Sequence, residues 1–210
     1  MATEPAAPTS TSIPTEPATP TPTGRLFVLS GASGSGKSTI VDRLLAEHGE
    51  VPVRRSISTT TREPRDGEVP DVNYHFVSRA EFEAERDRGA YLEWAQVHDH
   101  YYGTYAEPVA RVRSQGLGVI LVIDVQGAME VRKQVPDALL IFVNAPSFAV
   151  LEQRLRDRNT DDEATIELRL RNARREVAMA DRYDHQITND HLDHAVETLA
   201  AILTPPHPES

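Results

Sequence analysis

Arg25-Leu-Phe-Val-Leu-Ser-Gly-Ala-Ser-Gly-Ser-Gly-Lys-Ser38 decides the fold. An apolar run, Leu26 to Leu29, leads into Gly31 to Ser38, which fits the phosphate-loop pattern G-x-x-x-x-G-K-[ST] at every fixed position. The spacing has a physical reason. Glycines let the backbone curl so that successive N–H groups point inward at phosphate oxygens, and a helix starting where the loop ends adds its positive N-terminus. Lys37 supplies a mobile charge, and Ser38 a hydroxyl for the Mg²⁺ that accompanies a triphosphate. Lys37 and Lys133 are the only lysines in an arginine-rich chain.

Outward from the loop, the chain reads as one α/β domain. Ile40, Val41, Leu44 and Leu45 repeat at helical spacing before Gly49, so strand, loop and helix open a parallel sheet. Val119 to Ile123 is a continuous apolar run ending at Asp124, the pattern of a strand buried on both faces with a carboxylate at its C-terminal edge. Helix is expected over Gln126 to Val135, strand over Ala138 to Val143, helices over Phe148 to Arg158 and Glu163 to Met179, strand over His185 to Thr188 and helix over Leu192 to Leu203. This alternation implies right-handed crossovers and a doubly wound parallel sheet. Between the first crossover and the next buried strand lie short alternating runs, Val72 to Val77 and Tyr91 to Val97, around a charged helix over Arg79 to Arg88. They read as an inserted small α+β subdomain.

Composition bounds the function. Two hundred and ten residues with 39% hydrophobic and 26% charged content suit a globular domain, and no apolar run approaches the roughly 18 residues of a membrane span. The net charge is −10, with only Glu4 and Glu16 of it in the first 23 residues, so nucleic acid is not an expected partner and any anion must be met by local arginine clusters. No cysteine is present, which excludes thiolate chemistry and cysteine-ligated metal. Residues 1–23 are almost wholly Pro, Thr, Ala and Ser, too poor in apolar surface to offset the entropy of ordering. They lack signal- and transit-peptide features, so a disordered tail on a cytoplasmic protein is expected.

The segments SISTTTREPRDGE, VNYHFV, EWAQVHDHYYGT and IDVQGA, in this order and spacing behind the phosphate loop, resemble guanylate kinase, and the resemblance covers Arg25 to Leu203. It implies phosphoryl transfer from ATP to GMP, with Mg²⁺, by a core (24–55 and 105–146, returning at 176–204), a GMP-binding subdomain (56–104) and a lid (about 147–175), leaving 205–210 frayed. ATP would lie on Gly31, Ala32, Ser33, Gly34, Ser35, Gly36, Lys37, Ser38 and Thr39, with Asn189 near adenine or serving only as a turn residue. GMP would lie on Ser58, Arg62, Arg65, Tyr74, Glu93, Tyr102 and Thr104. In that assignment Arg62 and Arg65 fork onto the phosphate, and Glu93 accepts from guanine N1–H and the 2-amino group. Lys37, Arg154, Arg158 and Arg169 would hold the transferring group.

Two departures stand out: Val122 replaces an acidic residue usual in the family two positions before the strand-end aspartate, and Arg158-Asn159 replaces a frequent Arg-Gly. Asp124 is left, with Ser38, as the expected metal residue, directly or through water. Two other readings remain open on the residues, a kinase for a different small acceptor and a non-catalytic interaction module of the same fold.

Overall fold

The computed structural model describes residues 23–97, 99–157 and 163–204. In chain order the elements are β1 (Leu26–Ser30), α1 (Lys37–Glu47), β2 (Val53–Arg55), β3 (Ser58–Thr60), β4 (Tyr74–Phe76), α2 (Arg79–Asp87), β5 (Tyr91–Val97), β6 (His100–Tyr105) and α3 (Ala106–Ser114). They continue with β7 (Gly118–Val122), α4 (Val125–Gln134), β8 (Leu139–Asn144), α5 (Phe148–Arg156), α6 (Glu163–Val177), β9 (His185–Thr188) and α7 (Leu192–Leu203).

The central sheet has the order β2-β7-β1-β8-β9, with every pairing parallel. All five residues of β1 are buried. Its side chains alternate: Phe27 and Leu29 pack with Ile40, Val41 and Leu44 of α1 and Val196 and Leu199 of α7, whereas Leu26 and Val28 pack with Val109 of α3 and Ala128 and Val131 of α4. Burial on both faces is why the strand reads as an unbroken apolar run. With β7 on one side of β1 and β8 on the other, the strand order reverses at β1. The C-terminal end of β1 is therefore the switch point of the sheet, where crevices for ligands form in folds of this kind.

The inserted segment forms a second sheet of order β4-β3-β6-β5, in which β3 pairs β4 parallel and β6 pairs both β3 and β5 antiparallel. Phe82 of α2, fully buried, stacks between Tyr91 and Tyr101 of this sheet with ring centroids 4.5 and 5.2 Å away. A capping box starts α2: Glu81 N–H donates to Ser78 Oγ at 3.2 Å, and Ser78 N–H donates to Glu81 at 2.8 Å. Residues 79–87 thus form a helix for a local reason and hold the sheet by one aromatic.

Boundaries differ from the expectations by a residue or two. In α3, which begins at Ala106, Pro108 sits in the first turn, where a proline removes only an N–H that has no helical partner. The helix expected to reach Arg158 ends at Arg156, and the strand expected over 72–77 pairs only over Tyr74–Phe76. No helix among the described residues is long and apolar enough to cross a membrane. The tail expectation for residues 1–23 concerns residues outside the described ones, apart from Thr23.

Candidate active site

The loop after β1 turns through Gly31, Gly34 and Gly36, all at positive φ. Gly36 is the N-cap of α1 and offers no side-chain cap, so the first N–H groups of the helix are left to a ligand. Lys37 Nζ donates to the carbonyls of Gly31 at 2.6 Å and Ala32 at 3.0 Å, which folds the ammonium back along the loop. A cavity of about 280 Å³ opens beside it.

Three elements besides the loop line this cavity. The second sheet and its β3–β4 loop contribute Ser58, Arg65, Tyr74, Glu93 and Tyr102, the end of β7 contributes Val122 and Asp124, and α6 contributes Arg169, Asn172 and Glu176. Gly31, Ser33, Gly34, Gly36, Lys37, Ser38 and Thr39 form the opposite wall. One chamber therefore joins residues far apart in sequence, with the phosphate loop at one end and Glu93 with two tyrosines at the other.

Glu93 is the best-buried carboxylate there, only 3% exposed. Thr104 Oγ1 donates to its Oε1 at 2.6 Å, and Gly127 of α4 lies so near that a Cβ there would stand 2.4 Å from Oε2. Burial pushes the Glu93 carboxyl up to about 7; Thr104 pulls it down, and the nearby negative charge of Asp124 adds to the rise. Thr104, fully buried, reaches the site through Glu93 and is not on the cavity wall.

The two loop arginines are placed differently. Arg65 faces the cavity, whereas Arg62 forms an ion pair with Glu68 at 2.9 Å and lies over the rings of Tyr74 and Phe76 at 5.6 and 5.8 Å. The other oxygen of Glu68 accepts from Arg65 N–H at 2.8 Å. Tyr74 and Tyr102 meet edge to face, with centroids 6.1 Å apart.

Asp124 caps α4, its Oδ1 accepting from Gly127 N–H at 2.9 Å. Burial raises its carboxyl, against the backbone N–H groups of Gly127 and Gln126 and the charge of Lys37. Val122, half-buried, brings no second carboxylate. Glu176 does bring one: burial raises it too, Lys37 and the Ser33 N–H draw it down, and Asp124 raises it. As a donor set, the Ser38 hydroxyl and the Asp124 carboxylate are hard oxygens, which fits Mg²⁺. Among the described residues no group of three His, Cys, Asp or Glu could hold a metal alone.

Arg169 reaches the cavity wall. Arg154 instead reaches the back of the phosphate loop: its Nη2 donates to Asn189 O at 3.1 Å and its Nη1 to Ser35 O at 3.5 Å. Asn189, 6% exposed, donates its own amide to Ser35 O at 2.8 Å. Ala32 and Ser35 are buried in the loop itself. Arg158 lies outside the described residues. Sequence reasoning missed Glu176, Asn172, Gly127 and Glu68. A carboxylate on a helix rich in arginines carries no mark of the cavity it faces, and a lone glycine inside a helix, as Gly127 is, was the one readable signal.

The family model described as guanylate kinase matches residues 23–205. The chain is 46% identical over 192 residues to a guanylate kinase of Synechococcus sp. (strain JA-3-3Ab), covering 91% of this chain and 88% of that protein. It is 48% identical over 180 residues to one from Neisseria meningitidis serogroup A, covering 86% and 87%. Among solved structures, guanylate kinase from Anaplasma phagocytophilum superposes with a TM-score of 0.72 at 29% identity, covering 86% of this chain and 85% of that one. With the family model spanning residues 23–205 and relatives of this similarity over nearly the whole length, the chain belongs to the guanylate kinase family.

Proposed function

We propose that this protein transfers the γ-phosphoryl group of ATP to GMP, giving ADP and GDP, in the cavity between the two sheets. The observation that carries the reading is the chemistry at the two ends of that cavity: Lys37 and the glycine loop on one wall, and buried Glu93 with Arg65, Tyr74 and Tyr102 on the other. A 5′-phosphate is mostly ionised at neutral pH, its second pKa being about 6, so the attacking oxygen needs no general base. The protein's task is then to position two anions and neutralise them.

Each group has a part. The loop N–H groups from Gly31 to Thr39 cradle the ATP phosphates. Lys37 leaves the Gly31 and Ala32 carbonyls for phosphate oxygens, and Arg169 approaches from α6, with Arg158 completing the set. Arg65, Tyr74 and Tyr102 take the GMP phosphate, and Arg62 joins them by exchanging Glu68 for it. Glu93, aligned by Thr104, accepts from guanine N1–H and the 2-amino group, with Ser58 beside the base. Ser38 and Asp124 would hold Mg²⁺, directly or through water, and the ion supplies charge neutralisation on the phosphates when bound. Residues 56–104 work as the GMP-binding subdomain and about 147–175 as a lid whose closure over the core 24–55, 105–146 and 176–204 excludes water. The protein acts in the cytoplasm on small molecules, apart from membranes and nucleic acid.

A coupled ADP-release assay with MgATP and GMP, AMP, UMP or CMP in turn tests this. Turnover is expected with GMP and at least a hundredfold less with the others. Comparable turnover with another monophosphate would sink the guanine assignment, and no turnover with any would favour the interaction-module reading.

A further inference from the structure

The phosphate loop is held from behind by a two-residue brace, Asn189 buried and Arg154 half-buried. We infer that Asn189 and Arg154 are positioning residues that aim the Gly36 N–H into the phosphate site, and that Asn189 does not read the adenine base. The inference rests on the phosphate-loop reading above and deepens it.

One peptide bond connects the brace to the phosphate site. The Ser35 carbonyl and the Gly36 N–H belong to the same planar unit, and no cis peptide occurs among the described residues, so the two groups point in opposite directions. Whatever holds the carbonyl therefore aims the N–H. The carbonyl is held by two donors: Asn189 Nδ2 at 2.8 Å and Arg154 Nη1 at 3.5 Å. Both lie away from the cavity wall, on which Gly36 itself stands.

The brace is itself anchored. Asn189 follows directly after β9, and its N–H donates to Asn144 O at the end of β8 at 2.8 Å. Its carbonyl accepts from Arg154 Nη2 at 3.1 Å. One guanidinium on α5 thus ties together the loop and the residue that holds it. Fit is tight: a Cβ on Gly36 would stand 2.2 Å from Asn189 Nδ2, and Gly36 sits at φ 96, a conformation that other residues rarely adopt. With Asn189 only 6% exposed and one amide hydrogen spent on Ser35, little of its side chain is left to meet a purine. The gain is pre-organisation, since a peptide already turned toward the phosphates costs no reorientation when they bind.

The experiment uses a ligand with phosphates and no base. Binding of inorganic tripolyphosphate, MgATP and GMP is measured for the full chain and for Asn189→Asp, which keeps the shape but sets an acceptor against the Ser35 carbonyl. At least tenfold weaker binding of both tripolyphosphate and MgATP is expected, with GMP affinity within twofold of the parent. Weaker MgATP with unchanged tripolyphosphate would overturn the inference and return Asn189 to the adenine. Unchanged affinity for both would also overturn it. A parent that binds GMP but neither phosphate ligand would instead overturn the reading of the loop, and the brace with it. Should Asn189→Asp fail to bind GMP, and so fail to fold, Arg154→Met relaxes the same carbonyl while keeping the side-chain stem. A several-fold loss for both phosphate ligands is then expected, and no loss overturns the inference.

Discussion

On the proposed reading, Glu93 gathers the chemistry of recognition into one side chain. Guanine presents two donors on one edge, N1–H and the 2-amino group, while adenine presents a bare acceptor nitrogen in the corresponding place. A buried carboxylate satisfied by Thr104 on one oxygen favours the first and opposes the second. Charged hydrogen bonds are worth about 1.5–3 kcal/mol each, so Glu93→Gln, which turns an amide donor toward a guanine donor, should lower kcat/KM for GMP at least tenfold with ATP affinity unchanged. Equal GMP turnover in the variant would remove Glu93 from base recognition. The pH dependence has a definite sign. Because burial raises the Glu93 carboxyl to about 7, above its ordinary 4.5, the folded protein holds a proton that the unfolded chain has lost between those values. This group's contribution to stability therefore falls as pH rises from about 4.5 to 7. Guanine needs the ionised form, so GMP affinity should move the other way, rising about tenfold from pH 6 to pH 8 more than it does in Glu93→Gln, which shares the titration of the substrate phosphate. Parallel profiles for parent and variant would refute this. Gly127 gives a complementary test. Alanine is favoured over glycine within a helix by about 1 kcal/mol, yet its Cβ would press on Glu93 Oε2 from 2.4 Å. Gly127→Ala should leave the melting temperature within a few degrees while GMP kcat/KM drops at least tenfold; an unaltered kcat/KM would mean that Glu93 can step aside.

At the scale of elements, Asp124 sits where a strand, a helix and a cavity meet, and its two duties can be separated. As N-cap of α4 it accepts from Gly127 N–H, a task asparagine performs nearly as well. As a carboxylate beside Lys37 it supplies charge that asparagine lacks. Asp124→Asn should therefore keep the thermal midpoint and cut turnover at least tenfold, whereas Asp124→Ala should also lose about 1 kcal/mol of stability. Full turnover in Asp124→Asn would reduce the residue to a cap. How much of this was legible in the chain depends on how local the physics is. β1, β7 and the phosphate loop were readable because a strand buried on both faces must be apolar along its length, and a loop of this shape needs glycines at set positions. His185–Thr188 and Leu192–Leu203 also matched to the residue, the helix because its apolar side chains recur at helical spacing. The cavity side of α6 was not readable. Arg169, Asn172 and Glu176 lie on a helix whose charged face looks like any solvated one, and the helix packing that turns Glu176 toward Lys37 is set by residues distant in sequence. Arg154 shows the same limit: its spacing marked an arginine near phosphates, but only the fold places it behind the loop.

At the scale of the whole molecule, the two ends of the cavity belong to different sheets. The phosphate loop hangs from β1 of the parallel sheet, and Glu93, Tyr74 and Tyr102 stand on the mixed sheet, whose strands exchange no backbone pairing with the first. They are linked by the contact of α4 with β5, where Gly127 meets Glu93, and by α3, which touches both β5 and β7. On the proposed reading, one sheet binds its ligand without the other, and turnover depends on both at once. Lys37→Ala is the sharpest probe. Its ammonium faces Asp124 and Glu176 and bonds the Gly31 and Ala32 carbonyls, all on the parallel-sheet side. Removing it takes a positive charge from the transferring phosphoryl group, where mobile and fixed charges act in a water-poor site, so turnover should fall by about a thousandfold or more. GMP affinity, set by groups on the other sheet, should stay within twofold. The variant also leaves Asp124 and Glu176 without the cation that lowers both, so their carboxyls should titrate higher than in the parent, and residual activity should shift its pH dependence upward. A collapse of GMP affinity equal to the loss of turnover would show that the two sheets do not hold separate sites, and that the phosphate loop takes part in forming the guanine end of the cavity.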